Sequence, residues 1–262
     1  MNGHQFGSSD SADSAGQPWS GRSFDQNAHA EDDGSAPAAL MDAVAAFRAG
    51  ENGLEAVVDA VRGARLLVPL LAAAGETGVT AQGLTVDKTQ ELAVVTVATP
   101  DHRTALPVFS SVEAMQSWNP KARPVPVDGV RVALAAAGEG TPVVLLDPGA
   151  SALALRRPAV WAIAKSEPWQ PPERDAQLLA LFQQSVSDVP AVRRIRAESG
   201  DPAASLHGPE LVIELMLDPG LDQPSLNAIV ERLSDRWAAS EYFAAHVDSL
   251  GLKLVPAGPP RA

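Results

Sequence analysis

The stretch of sequence that decides the fold runs from Glu91 to Arg157. It opens with Glu91-Leu-Ala-Val-Val-Thr-Val-Ala98, a nearly continuous run of apolar and β-branched residues that is typical of a buried strand. The short link Thr99-Pro-Asp-His-Arg103 predicts an antiparallel hairpin with a second strand over Thr104–Phe109. Two strands joined in this way form the centre from which the rest of the chain is interpreted.

Helices and further strands alternate after this hairpin. Ser110-Ser-Val-Glu113 has the spacing of a capping box, which predicts a helix over Ser111–Trp118. A second helix over Gly129–Ala137 leads into the apolar strand Thr141–Asp147, and Ala152–Leu155 returns after a turn. The mixture of elements predicts an α+β fold.

The residues before this stretch predict two helices, a strand and a loop. Apolar residues at helical spacing indicate helices over Leu40–Phe47 and Leu54–Val61, and Leu66–Leu71 has the composition of a strand. Pro69 has no N–H for a β-ladder, so we expect that strand at a sheet edge or beside a bulge. The segment Ala74–Thr89 has no sustained period and is predicted to be a long exposed loop.

The residues after this stretch predict a linker and a second group of elements. Ser166–Glu173 contains three prolines in eight residues, the composition of a stiff linker. The apolar pattern beyond it predicts a helix, two strands, a long helix with a break near Ser240, and a last strand. Their expected positions are Arg174–Gln184, Val189–Ala197, Glu210–Leu217, a start near Pro224, and Leu252–Val255. Glu210 and Glu214 lie on one face of their strand, which we expect to be solvated.

We therefore predict two small mixed-sheet domains joined by the Pro-rich linker. The predicted boundaries are a disordered acidic tail over 1–34, a first α+β domain over 35–165, the linker over 166–173, a second α+β domain over 174–256, and a tail over 257–262. The N-terminal tail has six acidic residues against one arginine, too polar to offset its ordering entropy. It could be a tether for a basic partner or a solubilising tail.

Composition excludes several classes of function. The chain has no cysteine, which excludes disulfides, thiolate catalysis and cysteine-ligated metal sites. A net charge of −12 argues against nucleic acid as a partner, and Arg193-Arg194-Ile-Arg196 is better explained as a solvated strand edge. No apolar run reaches the ~20 residues of a membrane span, and the first residues lack a signal-peptide pattern. We expect a cytoplasmic protein with no membrane contact.

The sequence assigns no catalytic residue, no cofactor-binding residue and no metal ligand. Asp101-His102 at the hairpin tip and Asp147 at a strand end are the best acid–base candidates. An enzyme or small-ligand site would require these three side chains to converge at one end of the sheet. The alternative for each is structural, because His102 suits a surface turn and Asp147-Pro-Gly149 is a common turn sequence.

Aromatic residues indicate possible protein contacts. Tryptophan is a frequent anchor in protein interfaces because it buries a large area and keeps one polar group. Our candidates for interaction residues are Phe109, Trp118, Trp169 and Trp237. Packing in the core or between domains is the alternative explanation for all four.

One family resemblance follows from the motifs. The run Ala105–Pro120 followed by Ala122–Val127 is similar to the N-terminal domain of the SseB family, and Val143–Gly149 and Leu155–Val160 fit the same pattern. The similarity covers about Arg65–Trp169, and the segment after it resembles the C-terminal domain of the family more loosely.

The resemblance implies a cytosolic, bacterial, two-domain α+β protein and supplies no catalytic residues. We therefore expect a non-enzymatic protein that acts by protein–protein interaction with an unidentified partner. The surface Phe109–Val127, the Pro-rich linker and the acidic tail are the segments that could serve this role. The competing hypothesis is the enzyme or small-ligand site near Asp101, His102 and Asp147.

Overall fold

The computed structural model describes residues 32–72, 77–79, 85–87, 92–138, 140–149 and 152–257. The described residues from 33 onwards form one compact unit. Of the predicted acidic tail only residues 32–34 are described, and of the predicted C-terminal tail only residue 257. Helices and several small sheets are interspersed along the chain, so the α+β class is confirmed. Within the described residues, no helix combines the length and apolar character that crossing a bilayer requires.

The helices are α1 (Ala38–Arg48), α2 (Leu54–Gly63), α3 (Val112–Trp118), α4 (Gly129–Gly138), α5 (Arg157–Lys165), α6 (Ala176–Ser185), α7 (Gln223–Ala238) and α8 (Glu241–His246), with a 3-10 helix at Pro172–Arg174. The strands are β1 (Arg65–Ala72), β2 (Thr77–Val79), β3 (Thr85–Asp87), β4 (Leu92–Val94), β5 (Val97–Ala98), β6 (Thr104–Val108), β7 (Arg123–Asp128), β8 (Val144–Leu146), β9 (Leu153–Leu155), β10 (Val192–Ser199), β11 (Leu211–Leu217) and β12 (Leu250–Pro256).

Side-chain caps fix the start of several helices. The Ser111 hydroxyl accepts a hydrogen bond from the Ala114 N–H at 3.1 Å, which confirms the predicted start of α3. Asp222 caps α7 in the same way, through the Ser225 N–H. Ser240 caps α8, so the predicted break after the long helix is confirmed.

Two larger sheets lie in the first half of the chain, in addition to the two-stranded sheet of β2 and β3. One has the strand order β4-β1-β7 with antiparallel pairing, and the other has the order β5-β6-β8-β9, in which β6 and β8 are parallel. The antiparallel pairing of Val97 with Ala105 confirms the predicted hairpin. Leu67 and Phe109 exchange backbone hydrogen bonds, which joins β1 of the first sheet to the end of β6 in the second.

The expectation that Pro69 lies at a sheet edge or beside a bulge is wrong. β1 lies between β4 and β7, and its pairing with β7 runs in continuous register from Arg65 to Leu70. The backbone of Leu67 exchanges hydrogen bonds with Phe109 and not with β7. Alternate residues of a strand direct their backbone groups to the same side, so the nitrogen of Pro69 also points away from β7. The proline therefore removes no hydrogen bond from the β1–β7 ladder.

Two further expectations about this half need correction. The predicted loop Ala74–Thr89 contains β2 and β3, which pair antiparallel with Gly78 opposite Val86. Glycine and threonine in these short strands give no alternating apolar pattern, so the sequence does not indicate them. The predicted continuous strand Glu91–Ala98 is divided into β4 and β5, which belong to different sheets.

The second half of the chain forms one sheet covered by helices. β11 is its central strand, antiparallel to β10 and parallel to β12. Alternate residues of β11 are buried, as expected for a sheet with one covered face. They pack with residues of α6 and α7 in a hydrophobic cluster that includes Leu178, Phe182, Ile195, Ile213, Leu215, Leu233 and Trp237.

The two halves meet at the segment between β10 and β11. Ala204 is buried in the hydrophobic cluster of the first half, and its carbonyl accepts the Ala154 N–H at 2.8 Å. Leu206, 1% exposed, packs in a smaller cluster with Ala105 and Ala154. Side chains of the second half therefore complete the core of the first. The division into two domains at residues 166–173 remains a prediction.

Candidate functional site

Arg156 is a buried cation at the start of α5. The first turn of this helix has no acidic residue, and a helix N-terminus carries partial positive charge, so a cation there needs counter-charges from elsewhere. The Arg156 side chain is 6% exposed. Its Nη2 donates to Asp201 Oδ2 at 2.6 Å and to the Gly208 carbonyl at 2.7 Å. Both acceptors belong to the second half of the chain.

Asp248 lies between two arginines and its side chain is 2% exposed. Arg103 binds it through two parallel hydrogen bonds of 2.9 and 2.8 Å, and Nη1 of Arg156 donates to Oδ2 at 3.3 Å. Arg103 also donates to Asp101, at 2.9 and 2.7 Å. The hydrogen bonds with Asp248 and then Asp101 raise the pKa of Arg103. We call Asp101, Arg103, Arg156, Asp201 and Asp248 the junction network.

Asp201 holds the segment that inserts into the first half. Its Oδ1 accepts the Ser205 N–H and hydroxyl at 3.0 and 2.9 Å, and its Oδ2 accepts the Leu206 N–H at 2.7 Å in addition to Arg156. Burial by itself would raise the pKa of Asp201, but these hydrogen bonds hold that pKa below its usual value. They also keep Ala204 and Leu206 at left-handed φ angles of 50° and 63°, which residues other than glycine rarely adopt.

Glu210 is a second kind of buried carboxylate. The residue is 8% exposed, its N–H donates to the Ser249 hydroxyl at 2.9 Å, and its Oε2 accepts the Asp248 N–H at 2.5 Å. Among the described residues, no hydrogen-bond donor reaches its other oxygen, Oε1. Burial raises the pKa of Glu210 to about 7, opposed by the Asp248 N–H and reinforced by the charges of Asp248 and Glu173.

The expectation that Glu210 is solvated together with Glu214 is wrong. β11 begins at Leu211, so Glu210 precedes the strand and turns towards residues of the first half. Glu214 lies within β11 and pairs with Lys253 on the neighbouring strand at 2.9 Å. The Glu214 side chain is 11% exposed, so the two residues differ in position and partners more than in burial. A pattern of alternating residues does not reveal that Glu210 is covered, because the covering residues come from a distant part of the sequence.

A cavity of ≈340 Å³, which we call the junction cavity, opens beside these residues. Arg156, Asp201 and Glu210 line it, together with Glu173 of the 3-10 helix. Burial raises the pKa of Glu173, and the charge of Glu55 adds to the rise. The apolar part of the lining includes Phe47, Leu54, Ala159, Trp169, Pro171 and Pro172. The volume lies within the range of small-molecule pockets, roughly 300–1,000 Å³.

Comparison with known protein families gives one match. Residues 40–162 match the family model of the SseB protein N-terminal domain. These residues are an SseB N-terminal domain. The match confirms the resemblance carried by Ala105–Val127, and the looser resemblance of the following segment to the SseB C-terminal domain stays a prediction. No curated protein and no solved structure matches the chain.

The junction cavity lies where the SseB N-terminal domain meets the rest of the chain. The domain supplies lining residues that include Phe47, Leu54, Arg156 and Ala159. The residues after the domain supply others, including Trp169, Glu173, Asp201 and Glu210. A chain reduced to the matched domain would therefore lack most of the polar wall.

The structure does not bring together the three acid–base candidates in the SseB N-terminal domain. Asp101 and His102 precede β6, whereas Asp147 follows β8, and because β6 and β8 are parallel these residues lie at opposite ends of the sheet. His102 is exposed with φ 63°. Both oxygens of Asp147 accept hydrogen bonds from Ser110, each at 2.8 Å. The geometric requirement for a site made of these three residues is not met.

The four aromatic candidates have different environments. Phe109 is fully buried, and its ring centroid lies 5.3 Å from that of Trp118 in the same domain. Trp237 is 1% exposed and donates its Nε1–H to the Ser185 hydroxyl at 3.0 Å. Trp118 and Trp169 are half-buried, so these two retain surface for a partner.

Apart from Trp169, the polar residues around the junction cavity are the ones that sequence reasoning missed. One signal was present, because Arg156 precedes a helix that has a proline in its first turn and no acidic residue to balance the charge. Nothing in the sequence around Glu210 or Asp248 indicates that either is buried. Within the described part of the chain, no group of three or more histidine, aspartate or glutamate side chains is arranged to hold a metal ion.

Proposed function

We propose that this protein is a non-enzymatic cytosolic module that binds a partner protein through the surface around Trp169. The observation that supports this proposal is the position of Trp169 between two cavities. It lines the junction cavity and also a neighbouring cavity of ≈200 Å³ whose walls include Trp161 and Tyr242. A half-buried tryptophan flanked by concave surface has the features of an interface anchor.

The environments of the acid–base candidates support a non-enzymatic role. Both oxygens of Asp147 are engaged by Ser110, and Asp101 is paired with Arg103. A carboxylate that is fixed by hydrogen bonds to its own fold is poorly placed to exchange a proton with a substrate.

Binding of a small ligand in the junction cavity is the second candidate function. The volume of the cavity favours it, as does the unpartnered Oε1 of Glu210 at the wall. This site differs from the one that the sequence suggested near Asp147.

Affinity capture of the tagged full-length chain from the cytosol of its own cells tests the leading proposal. The recovered partner is purified, and its Kd is measured by isothermal titration calorimetry for the wild type, Trp169→Ala and Leu134→Ala. Leu134 is a matched control, because it is 54% exposed on α4 and lines neither cavity at Trp169. Circular dichroism establishes that both variants fold.

We expect Trp169→Ala to weaken binding roughly 30-fold, the size of a typical anchor residue. Leu134→Ala should leave the affinity unchanged. Equal losses in the two variants, or the recovery of no stoichiometric partner, contradict the proposal.

A further inference from the structure

We propose that the junction cavity receives the cationic end of a lysine or arginine side chain from the partner protein, with Glu210 and Glu173 as its counter-charges. This inference rests on the proposed function, because it names what the partner places beside Trp169. It assigns a binding role to two carboxylates that the packing of the fold alone does not explain.

The first argument is the oxygen of Glu210 that has no hydrogen-bond donor from the described chain. The residue is 8% exposed and lines the cavity, and no hydrogen bond within the described chain reaches its Oε1. The buried polar atoms that lack a partner among the described residues are Glu55 Oε2 and Arg62 Nε, so Oε1 of Glu210 keeps contact with solvent. A carboxylate oxygen of a cavity-lining residue that has no donor from its own chain is available to accept a hydrogen bond from a ligand. An ammonium or guanidinium group entering the cavity would supply both the donor and the charge.

The second argument is that the cations nearest to the cavity are already engaged. Arg156 donates to Asp201, Asp248, Gly208 and Ser249, so its donors are directed away from Glu210. Arg174, which also lines the cavity, is largely exposed and pairs with Glu55 at 2.8 Å.

Glu173 also lines the cavity and is half-buried. No ion pair to Glu173 is present among the described residues, and its charge contributes to the raised pKa of Glu210. Burial raises the pKa of both carboxylates, unlike that of Asp201, whose pKa is lowered by its donors. Two like-charged groups in the lining of one cavity favour a ligand of the opposite charge and repel anions.

The third argument is the apolar part of the lining. Phe47, Leu54 and Trp169 give an apolar surface along which the methylene groups of a long basic side chain can pack. Trp169 can also attract a cation through its ring face. An aliphatic stem ending in a charge therefore suits both the apolar and the acidic part of the lining.

Saturation-transfer NMR titrations with the full-length protein test this inference. The probes are lysine and arginine with an acetylated N-terminus and a methylamide C-terminus. Norleucine capped in the same way is the neutral control for the stem, and n-butylammonium represents a free amine. The variants are Glu210→Gln and Glu173→Gln, with Glu231→Gln as the matched control on the exposed side of α7.

At pH 8 we expect the capped lysine or arginine to bind at least roughly tenfold more tightly than capped norleucine. Each cavity variant should lose roughly tenfold, the usual effect of one charged hydrogen bond, and Glu231→Gln should lose nothing. The capped basic residues should also bind more tightly than n-butylammonium, which lacks the peptide groups of a protein partner.

The affinity should also depend on pH in a way that identifies Glu210. Asp248, Arg156 and Glu173 are the charged groups that face it. Since the pKa of Glu210 is raised to about 7, the affinity should rise roughly tenfold from pH 5.5 to pH 8 in the wild type. Glu210→Gln should flatten most of this rise, whereas Glu231→Gln should retain all of it.

Several results would overturn the inference. Equal binding of capped norleucine, equal behaviour of the cavity and control variants, or no binding of either basic probe would exclude a cationic occupant. n-Butylammonium binding as tightly as capped lysine would instead assign the cavity to a free organic cation. A partner that depends on Trp169 while the basic probes fail overturns only this inference. If the basic probes bind but no partner can be recovered, the proposed function is contradicted. A partner's side chain is then also excluded as the occupant of the cavity.

Discussion

The junction network and the ion cluster at Asp188 contain the same kinds of residue in different surroundings. Arg156 lies 2.6 Å from Asp201, and Arg236 lies 2.6 Å from Asp188. The side chains of the first pair are 6% and 4% exposed, whereas those of the second are 33% and 52% exposed. Distance alone would rank the two pairs as equal.

Burial makes the two ion pairs unequal in their contribution to stability. Charges in the junction network are removed from water, so each depends on its partners, and losing one partner leaves an uncompensated buried charge. The hydrogen bond from Arg236 lowers the pKa of Asp188 to about 2, yet solvent screens that pair and can replace either partner. The energetic importance of an ion pair in this protein is thus set by what covers it.

The largest expected effect follows from removing the centre of the junction network. Arg156→Met keeps the length and the apolar stem but leaves Asp201 and Asp248 short of a donor. We expect the free energy of unfolding to fall by about 3–5 kcal/mol, measured by urea denaturation. Arg193→Met is the control, because the pair with Asp218 is 60% exposed on the arginine side. Similar losses in both variants would mean that burial is not the deciding difference.

The next effect is a pH dependence from Glu210, the buried carboxylate without a full set of donors. Because its pKa is about 7 in the folded protein and about 4.5 in an ordinary environment, the folded state holds the proton more tightly than the unfolded chain. This contribution to stability is fully present below about pH 4.5 and is lost as the pH rises to about 7. The loss is on the order of 3 kcal/mol.

Glu210→Gln isolates that contribution, since glutamine resembles the protonated carboxyl and does not titrate. We expect the variant to match the wild type near pH 4.5 and to be more stable at pH 8. Urea denaturation at the two pH values measures the difference. A wild type and a variant that respond identically to pH would show that Glu210 does not retain its proton in the folded state.

Ser249 tests a smaller, uncharged part of the same region. Its hydroxyl accepts hydrogen bonds from Arg156 Nη1 at 3.1 Å and from the Glu210 N–H at 2.9 Å. Ser249→Ala removes one oxygen and should lower the free energy of unfolding by about 1–2 kcal/mol. Ser187→Ala, whose exposed hydroxyl donates only to the carbonyl of Gln184, is the control. A neutral result for Ser249→Ala would mean that water replaces the hydroxyl.

The sequence predicts the elements of this protein better than it predicts the site. The helices α3 and α4 and the β5–β6 hairpin follow from local signals, such as the Ser111 cap and the spacing of apolar residues. These signals act over a few residues, so one sequence is sufficient to recognise them. The SseB resemblance came from the same stretch and is confirmed over residues 40–162.

The site depends on residues that are distant in the chain. Arg156 and Asp248 are 92 positions apart, and Arg103 and Asp248 are 145 apart. Their charges look like ordinary surface charges in the sequence because no local pattern records which segments will cover them. Pro69 illustrates the same limit, since its position in the sheet depends on which neighbour its nitrogen faces.

The smallest expected effect is at the surface cluster. Asp188 pairs with both Arg232 and Arg236, but all three side chains are at least one-third exposed, so water solvates the charges that remain when the carboxylate is lost. We expect Asp188→Asn to change the urea midpoint by no more than the error of the measurement, and any residual change to vanish in 0.5 M salt, where charge interactions are screened over ~4 Å. Arg156→Met should keep most of its effect at that salt concentration because its charges are buried. An Asp188→Asn variant as unstable as Arg156→Met, at both salt concentrations, would contradict the view that burial distinguishes the two regions.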